Sequence, residues 1–182
     1  MRLPRTLVAT VLASMLVLAG CGGDPSSVTW RNITFDVPDG WYVFEETETR
    51  LSLSNADIGP EAIRSADDVP EEDVVAIFFT YERGATPDDW RRYTEQQEAT
   101  LEVDEAIQLG DGVPATRLVF DYVTGDIPLR EMVVVIPSRR VVALAQPVPR
   151  LGQQEGPEVF LDYRDTFDEI LESATFGPPI TD

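Results

Sequence analysis

The chain of 182 residues contains no histidine and no lysine, and its only cysteine is Cys21. Each absence closes a class of chemistry. Without histidine there is no Ser-His-Asp or Cys-His couple, no imidazole metal ligand and no side chain that titrates near neutral pH by default. A solitary cysteine rules out an intrachain disulfide and a zinc site of the Cys/His kind, so the fold must stand on its core. The lack of lysine makes all 14 basic residues arginine, which reads as GC-rich coding bias more than a functional choice. Positive charge is scarce altogether, with 33 acidic residues against 14 basic and a net charge of −19. Such a surface repels nucleic acid and anionic lipid. It favours cationic partners, divalent metal included, although plain solubility accounts for it equally well. Long apolar runs are missing too. The stretch from Leu7 to Leu18, broken by Thr10 and Ser14, falls short of the roughly 20 residues that cross a bilayer.

What is present begins at the N-terminus. Arg2 and Arg5 precede that apolar stretch, which has the length of a secretory signal core. It ends in Leu18-Ala19-Gly20-Cys21. These four residues resemble the bacterial lipobox. The resemblance implies cleavage after Gly20 and a diacylglycerol or acyl lipid on the Cys21 thiol. The expected organisation is a signal peptide over 1–20, a lipidated cysteine and flexible tether over 21–29, one domain over 30–176 and a tail over 177–182. Loss of Arg2 and Arg5 leaves 12 arginines against 33 acids. The expected location is the extracytoplasmic face of the cell membrane, with the inner face of an outer membrane as the alternative. The membrane partner is then reached through the lipid, and nucleic acid is not expected as a partner.

From Val28 the pattern becomes globular. Ile33–Val37 alternates apolar and polar residues, Pro38-Asp39-Gly40 is turn chemistry, and Trp41–Glu45 reads as the returning strand of a β-hairpin. Leu51–Ser54 suggests a third strand. Residues 56–73 read as a long acidic loop, and Val74–Tyr81 as a strand covered on both faces. Thr86-Pro87-Asp88-Asp89 is a helix start, with a cap, a first-position proline and acids at the positive end of the dipole. That helix is expected to reach about Leu101. A short strand-like stretch 106–109 is followed by strands 115–123, 129–136 and 141–148, three consecutive antiparallel strands that form a meander. A second helix over 157–173 carries Phe160, Tyr163, Phe167, Ile170 and Ala174 as its buried stripe.

Strands, helix, strands, helix imply an α+β fold. The segment Ile33-Thr34-Phe35-Asp36-Val37-Pro38-Asp39-Gly40-Trp41, the meander, and Ser173-Ala174-Thr175-Phe176 after the last helix resemble PsbP-like domains, the superfamily of the extrinsic P subunit of photosystem II. The resemblance spans Trp30 to Phe176. It implies an α/β/α sandwich on a central antiparallel sheet, here of about six strands with two main helices, and a non-catalytic accessory role. Metal binding through histidine, found in some members, does not carry over to a chain that has none.

Several constellations are candidates for function. Trp30, Trp41 and Trp90 suggest ligand stacking but suit core anchoring better. The acidic loop containing Asp67, Asp68, Glu71, Glu72 and Asp73 lacks the spacing of a calcium loop, so no metal site is expected there and Asp67 and Asp68 are kept as an interaction surface. Asp121, Asp126 and Glu131 surround one expected hairpin, where a carboxylate pair would permit acid–base chemistry. Gly110-Asp111-Gly112 is a tight turn and not a phosphate loop. Arg139-Arg140, a basic pair at a turn, suits a partner carboxylate or an internal acid. The reading that follows is a non-enzymatic, membrane-tethered interaction module with a protein partner in the cell envelope and no cofactor beyond the lipid on Cys21. The alternatives are a binding protein for a small or apolar ligand, its cavity lined by Tyr42, Phe79 or Phe120, and a carboxylate-based hydrolase.

Overall fold

The computed structural model describes residues 26–61, 69–70, 72–148 and 157–178. Leu18, Ala19, Gly20, Cys21, Asp67 and Asp68 lie outside them. Seven antiparallel strands form the main sheet, in the order β3 (Tyr42–Glu46), β4 (Arg50–Ser54), β5 (Val75–Tyr81), β9 (Val141–Pro147), β8 (Ile127–Ile136), β7 (Pro114–Thr124), β6 (Thr100–Gln108). A smaller antiparallel sheet has the order β1 (Ser26–Trp30), β2 (Ile33–Val37), β10 (Thr175–Phe176). Two helices complete the described chain, α1 (Pro87–Gln96) and α2 (Pro157–Glu172). The fold is α+β, with the seven-stranded sheet at its centre.

The alternation along β5 explains the layering. Val75, Ile77 and Phe79 join the large core beneath α2 and the small sheet, while Ala76 and Phe78 face the opposite side, where Ile58 and Val69 pack. Both faces of β5 are therefore covered, as its unbroken apolar run requires. On the first face Phe35 meets Phe79 at 4.2 Å between ring centroids, and Phe167 of α2 takes Trp41 edge-on at 5.9 Å. Each such buried aromatic contributes roughly 1.5–3 kcal/mol through area removed from water. On the second face α1 lays Trp90 over Leu118, Phe120, Val133 and Val135.

Helix α1 begins where its sequence says it should. The Thr86 hydroxyl accepts from the Asp89 amide at 3.3 Å, and the Asp89 carboxylate accepts from the Thr86 amide at 3.1 Å, a reciprocal capping box behind Pro87. It stops at Gln96, not near Leu101. Glu98 turns left-handed at φ 55, the Ala99 amide returns to the Thr94 carbonyl, and Thr100 onward pairs with β7. Strand β6 is consequently nine residues long where four were expected.

Two further expectations are corrected. Segments 33–37 and 41–45 do not form a hairpin. The turn at Pro38–Gly40 exists, closed by the Trp41 amide on the Pro38 carbonyl with Gly40 at φ 79, but it carries the chain from one sheet to the other. Strand β2 puts Ile33, Phe35 and Val37 into the core and lies between β1 and β10, while β3 pairs with β4. The stretch read as tether also yields a strand, since β1 starts at Ser26 and buries Trp30 at its end.

Gly110 is required by close approach. A Cβ there would stand 1.9 Å from the Ala174 carbonyl oxygen, where the end of α2 crosses the turn. The neighbouring Asp111 carboxylate accepts from the Phe176 amide, which ties that turn to β10.

Candidate functional site

Two chain reversals, the end of β5 and the segment after β10 meet at one end of the small sheet. β1 and β2 are joined by the two-residue turn Arg31-Asn32, both left-handed at φ 47 and 63. Positive φ at both central positions is the type I′ geometry that suits the strand twist. Asparagine tolerates it well, whereas arginine does so at a cost of roughly 1–2 kcal/mol. β8 and β9 are joined by the single turn Pro137–Arg139 followed by left-handed Arg140, φ 56. Tyr81 ends β5 alongside, with the next residue's amide on the Arg140 carbonyl. The segment after β10 closes the arrangement, because the Gly177 amide donates to the Asn32 carbonyl at 2.7 Å and the Asn32 side-chain amide to the Pro178 carbonyl at 3.1 Å.

The result is a small cleft of about 30 Å³ lined by Arg31, Asn32, Tyr81, Ser138, Arg139 and Arg140, with Ile33 and Pro178 beside them. None of these is an acid. The Arg31 guanidinium lies 3.7 Å from the Tyr81 ring centroid and donates to the Glu48 carbonyl at 2.5 Å. Arg139 donates to the Gly177 carbonyl at 2.6 Å and stands 5.3 Å from the Phe176 ring. Arg140 donates to the Tyr81 hydroxyl at 3.2 Å. The Nε atoms of Arg31 and Arg139 are shielded from solvent and have no hydrogen-bond partner. The Arg139-Arg140 pair singled out in the sequence is thus part of a three-arginine site. Arg31, Asn32, Tyr81 and Ser138 were missed. The one sequence signal was an Arg-Asn dipeptide between two alternating segments, which is hairpin chemistry with asparagine at a left-handed position.

The carboxylates suggested as a pair are not brought together. Asp121 sits opposite Arg130 in the β7–β8 register and accepts two hydrogen bonds from it at 2.6 Å each. Glu131 is one residue along and so projects from the other face, and Asp126 is exposed in the turn. Glu131 is 5% exposed, and the Tyr122 hydroxyl donates to its carboxylate. Burial holds this carboxyl above its ordinary range, and the Tyr122 hydrogen bond opposes that only in part. Burial first, then the nearby Glu131 charge, raise the Tyr122 and Tyr93 hydroxyls in turn. The aromatics named for a ligand cavity also separate. Phe79 and Phe120 are fully buried on opposite faces of the sheet, and Tyr42 is exposed on β3. Trp30 and Trp41 serve the core, and the Trp30 indole donates to the Thr47 carbonyl. Among the described residues no group of three acids or cysteines is placed to hold a metal ion, and no helix is long and apolar enough to cross a membrane.

No family model matches the chain, and no curated protein matches it. Among solved structures it is similar to PA94 of Pseudomonas aeruginosa, a protein of unknown function, at 14% identity and TM-score 0.48, over 87% of this chain and 100% of that one. It is also similar to LpqN of Mycobacterium tuberculosis, described as involved in cell envelope biogenesis, at 17% identity and TM-score 0.43, over 87% and 88%. At these identities neither supplies a residue role. The PsbP-like resemblance rests on its own residues, and its opening segment is built here as two strands in different sheets.

Proposed function

We propose that this chain is an extracytoplasmic accessory module, tethered to a membrane by a lipid on Cys21 and acting by binding an envelope protein, without catalysis. The observation that carries the reading is the position of the arginine cleft relative to the tether. Four residues separate Cys21 from the start of β1, a reach of at most about 18 Å over the five steps. Strand β1 then runs five residues, about 17 Å, before it delivers Arg31 to the cleft. A short leash thus leads through β1 to one wall of a three-arginine cleft on an acidic protein. An accessory subunit needs this layout, with one end held and a distinct contact surface at the other.

The test is an in-cell crosslink followed by pull-down from the membrane fraction, comparing the native chain with Cys21→Ser. One envelope protein recovered in near-stoichiometric amount, and only with the native chain, is the expected result. A Cys21→Ser chain that stays in the membrane fraction and recovers the same protein would remove the tether from the argument. A purified chain that turns over a substrate would remove the accessory role.

A further inference from the structure

Arg31 and Arg139 make no ion pair among the described residues, on a chain with more than two acids for every arginine. Their Nε groups are shielded and unpartnered, while the two side chains as a whole are only partly buried. A guanidinium partly withdrawn from water gains from an opposite charge or a full set of acceptors. Within the fold that compensation is partial, consisting of the Glu48 and Gly177 carbonyls and the faces of Tyr81 and Phe176. The backbone is meanwhile held left-handed at two lining arginines, Arg31 and Arg140, a conformation that costs a non-glycine side chain energy and that often accompanies ligand-holding turns.

We infer that the cleft is a socket for a carboxylate of a partner polypeptide, an aspartate or glutamate side chain or a chain end, which rests on the accessory reading above. Fork geometry selects the anion. Planar guanidinium groups match the two coplanar oxygens of a carboxylate with charge-assisted hydrogen bonds, and the cleft that presents them is small, about 30 Å³. Position selects the source. The cleft lies at the end of β1 away from the tether, and a chain of net charge −19 is repelled as a whole by anionic lipid headgroups. The carboxylate therefore comes from a protein.

The experiment follows the side-chain Nε–Hε signals of Arg31 and Arg139 by nuclear magnetic resonance on the full lipidated chain in neutral detergent, assigned with Arg31→Lys and Arg139→Lys. Sodium acetate is titrated against sodium chloride at equal ionic strength, and sodium phosphate separately. Acetate is expected to move both signals saturably while chloride and phosphate leave them in place. Arg139→Lys, followed through the Arg31 signal, should weaken acetate at least tenfold, and Arg92→Lys on α1 should not. Acetate that moves neither signal overturns the socket. Saturation by phosphate without acetate overturns it in favour of a headgroup site. Equal weakening by Arg92→Lys reduces it to general charge. A chain that recovers its partner but ignores acetate keeps the accessory role and loses the socket, and the converse result does the opposite.

Discussion

Replacing Tyr122 with phenylalanine separates the two forces that act on Glu131. The carboxyl is buried under α1, burial raises its pKa, and the Tyr122 hydroxyl lowers it again by donating a hydrogen bond. While Glu131 is neutral, the lost hydrogen bond costs about 1 kcal/mol. Once it is charged, a buried carboxylate has lost its donor and the cost rises to about 1.5–3 kcal/mol. For a chain of this size 1 kcal/mol moves Tm by about 2–4 °C, so the deficit should grow from about 2–4 °C while Glu131 is neutral to about 3–12 °C once rising pH has charged it. The sign follows from linkage. A carboxyl whose folded pKa is raised contributes stability that is complete below its unfolded value, 4.5, and is lost as pH rises through the folded value. Tyr122→Phe removes the influence that lowers the folded pKa, so the loss deepens with pH. Glu131→Gln cannot titrate, and adding Tyr122→Phe to it should produce a pH-independent deficit. Thermal unfolding by circular dichroism, taken as variant minus parent between pH 4.5 and 8, cancels the titration of the other acids. A deficit that stays constant or shrinks as pH rises would refute the argument that burial dominates at Glu131.

Phe167→Ala removes a fully buried ring that touches Trp41 and Phe160, and should cost about 3–5 kcal/mol in urea unfolding. A loss below about 1 kcal/mol would mean that α2 is not packed on the sheet as described. Asp168→Ala leaves the shielded Arg117 guanidinium, now paired with Asp168 at 2.6 Å, with only Glu105 at 3.4 Å. The expected cost is about 2–3 kcal/mol, between surface and buried pairs. The double change Arg117→Met with Asp168→Leu should recover most of it, and a double variant as unstable as Asp168→Ala would contradict the desolvation argument.

Much of the fold was legible because its signals are local. The two-sided burial of β5 follows from an unbroken apolar run, the start of α1 from Thr86-Pro87 and Asp89, and the face of α2 from the spacing of Phe160, Phe167 and Ile170. Strand pairing was not legible in the same way. β2 and β3 both look like half-buried strands with a turn between them, and nothing within nine residues says that the turn switches sheets. The end of α1 was hidden because the left-handed residue is Glu98 and not a glycine. β1 was read as tether because its partner lies downstream and its first residues are serines. The arginine cleft was the least legible feature. It joins turns whose members span 146 positions, from Asn32 to Pro178, and only Arg139 and Arg140 announced themselves by adjacency.

That scattered origin gives the cleft its meaning. On a chain so rich in acid, a guanidinium placed without constraint meets a carboxylate, and Arg50, Arg91, Arg92, Arg117 and Arg130 all do. Arg31 and Arg139 instead rest on aromatic faces and backbone carbonyls, which fix their planes without neutralising their charge. The lining residues are supplied by the turn after β1, the end of β5, the β8–β9 turn and the segment after β10, so the first hairpin and the last segment of the described chain meet in the same feature. At physiological ionic strength charges are screened beyond about 8 Å. Within that range the cleft itself presents the guanidinium groups of Arg31 and Arg139. A protein that repels anions at long range can in this way receive one at contact, and it selects a ligand that presents its carboxylate to this site over one that is merely charged.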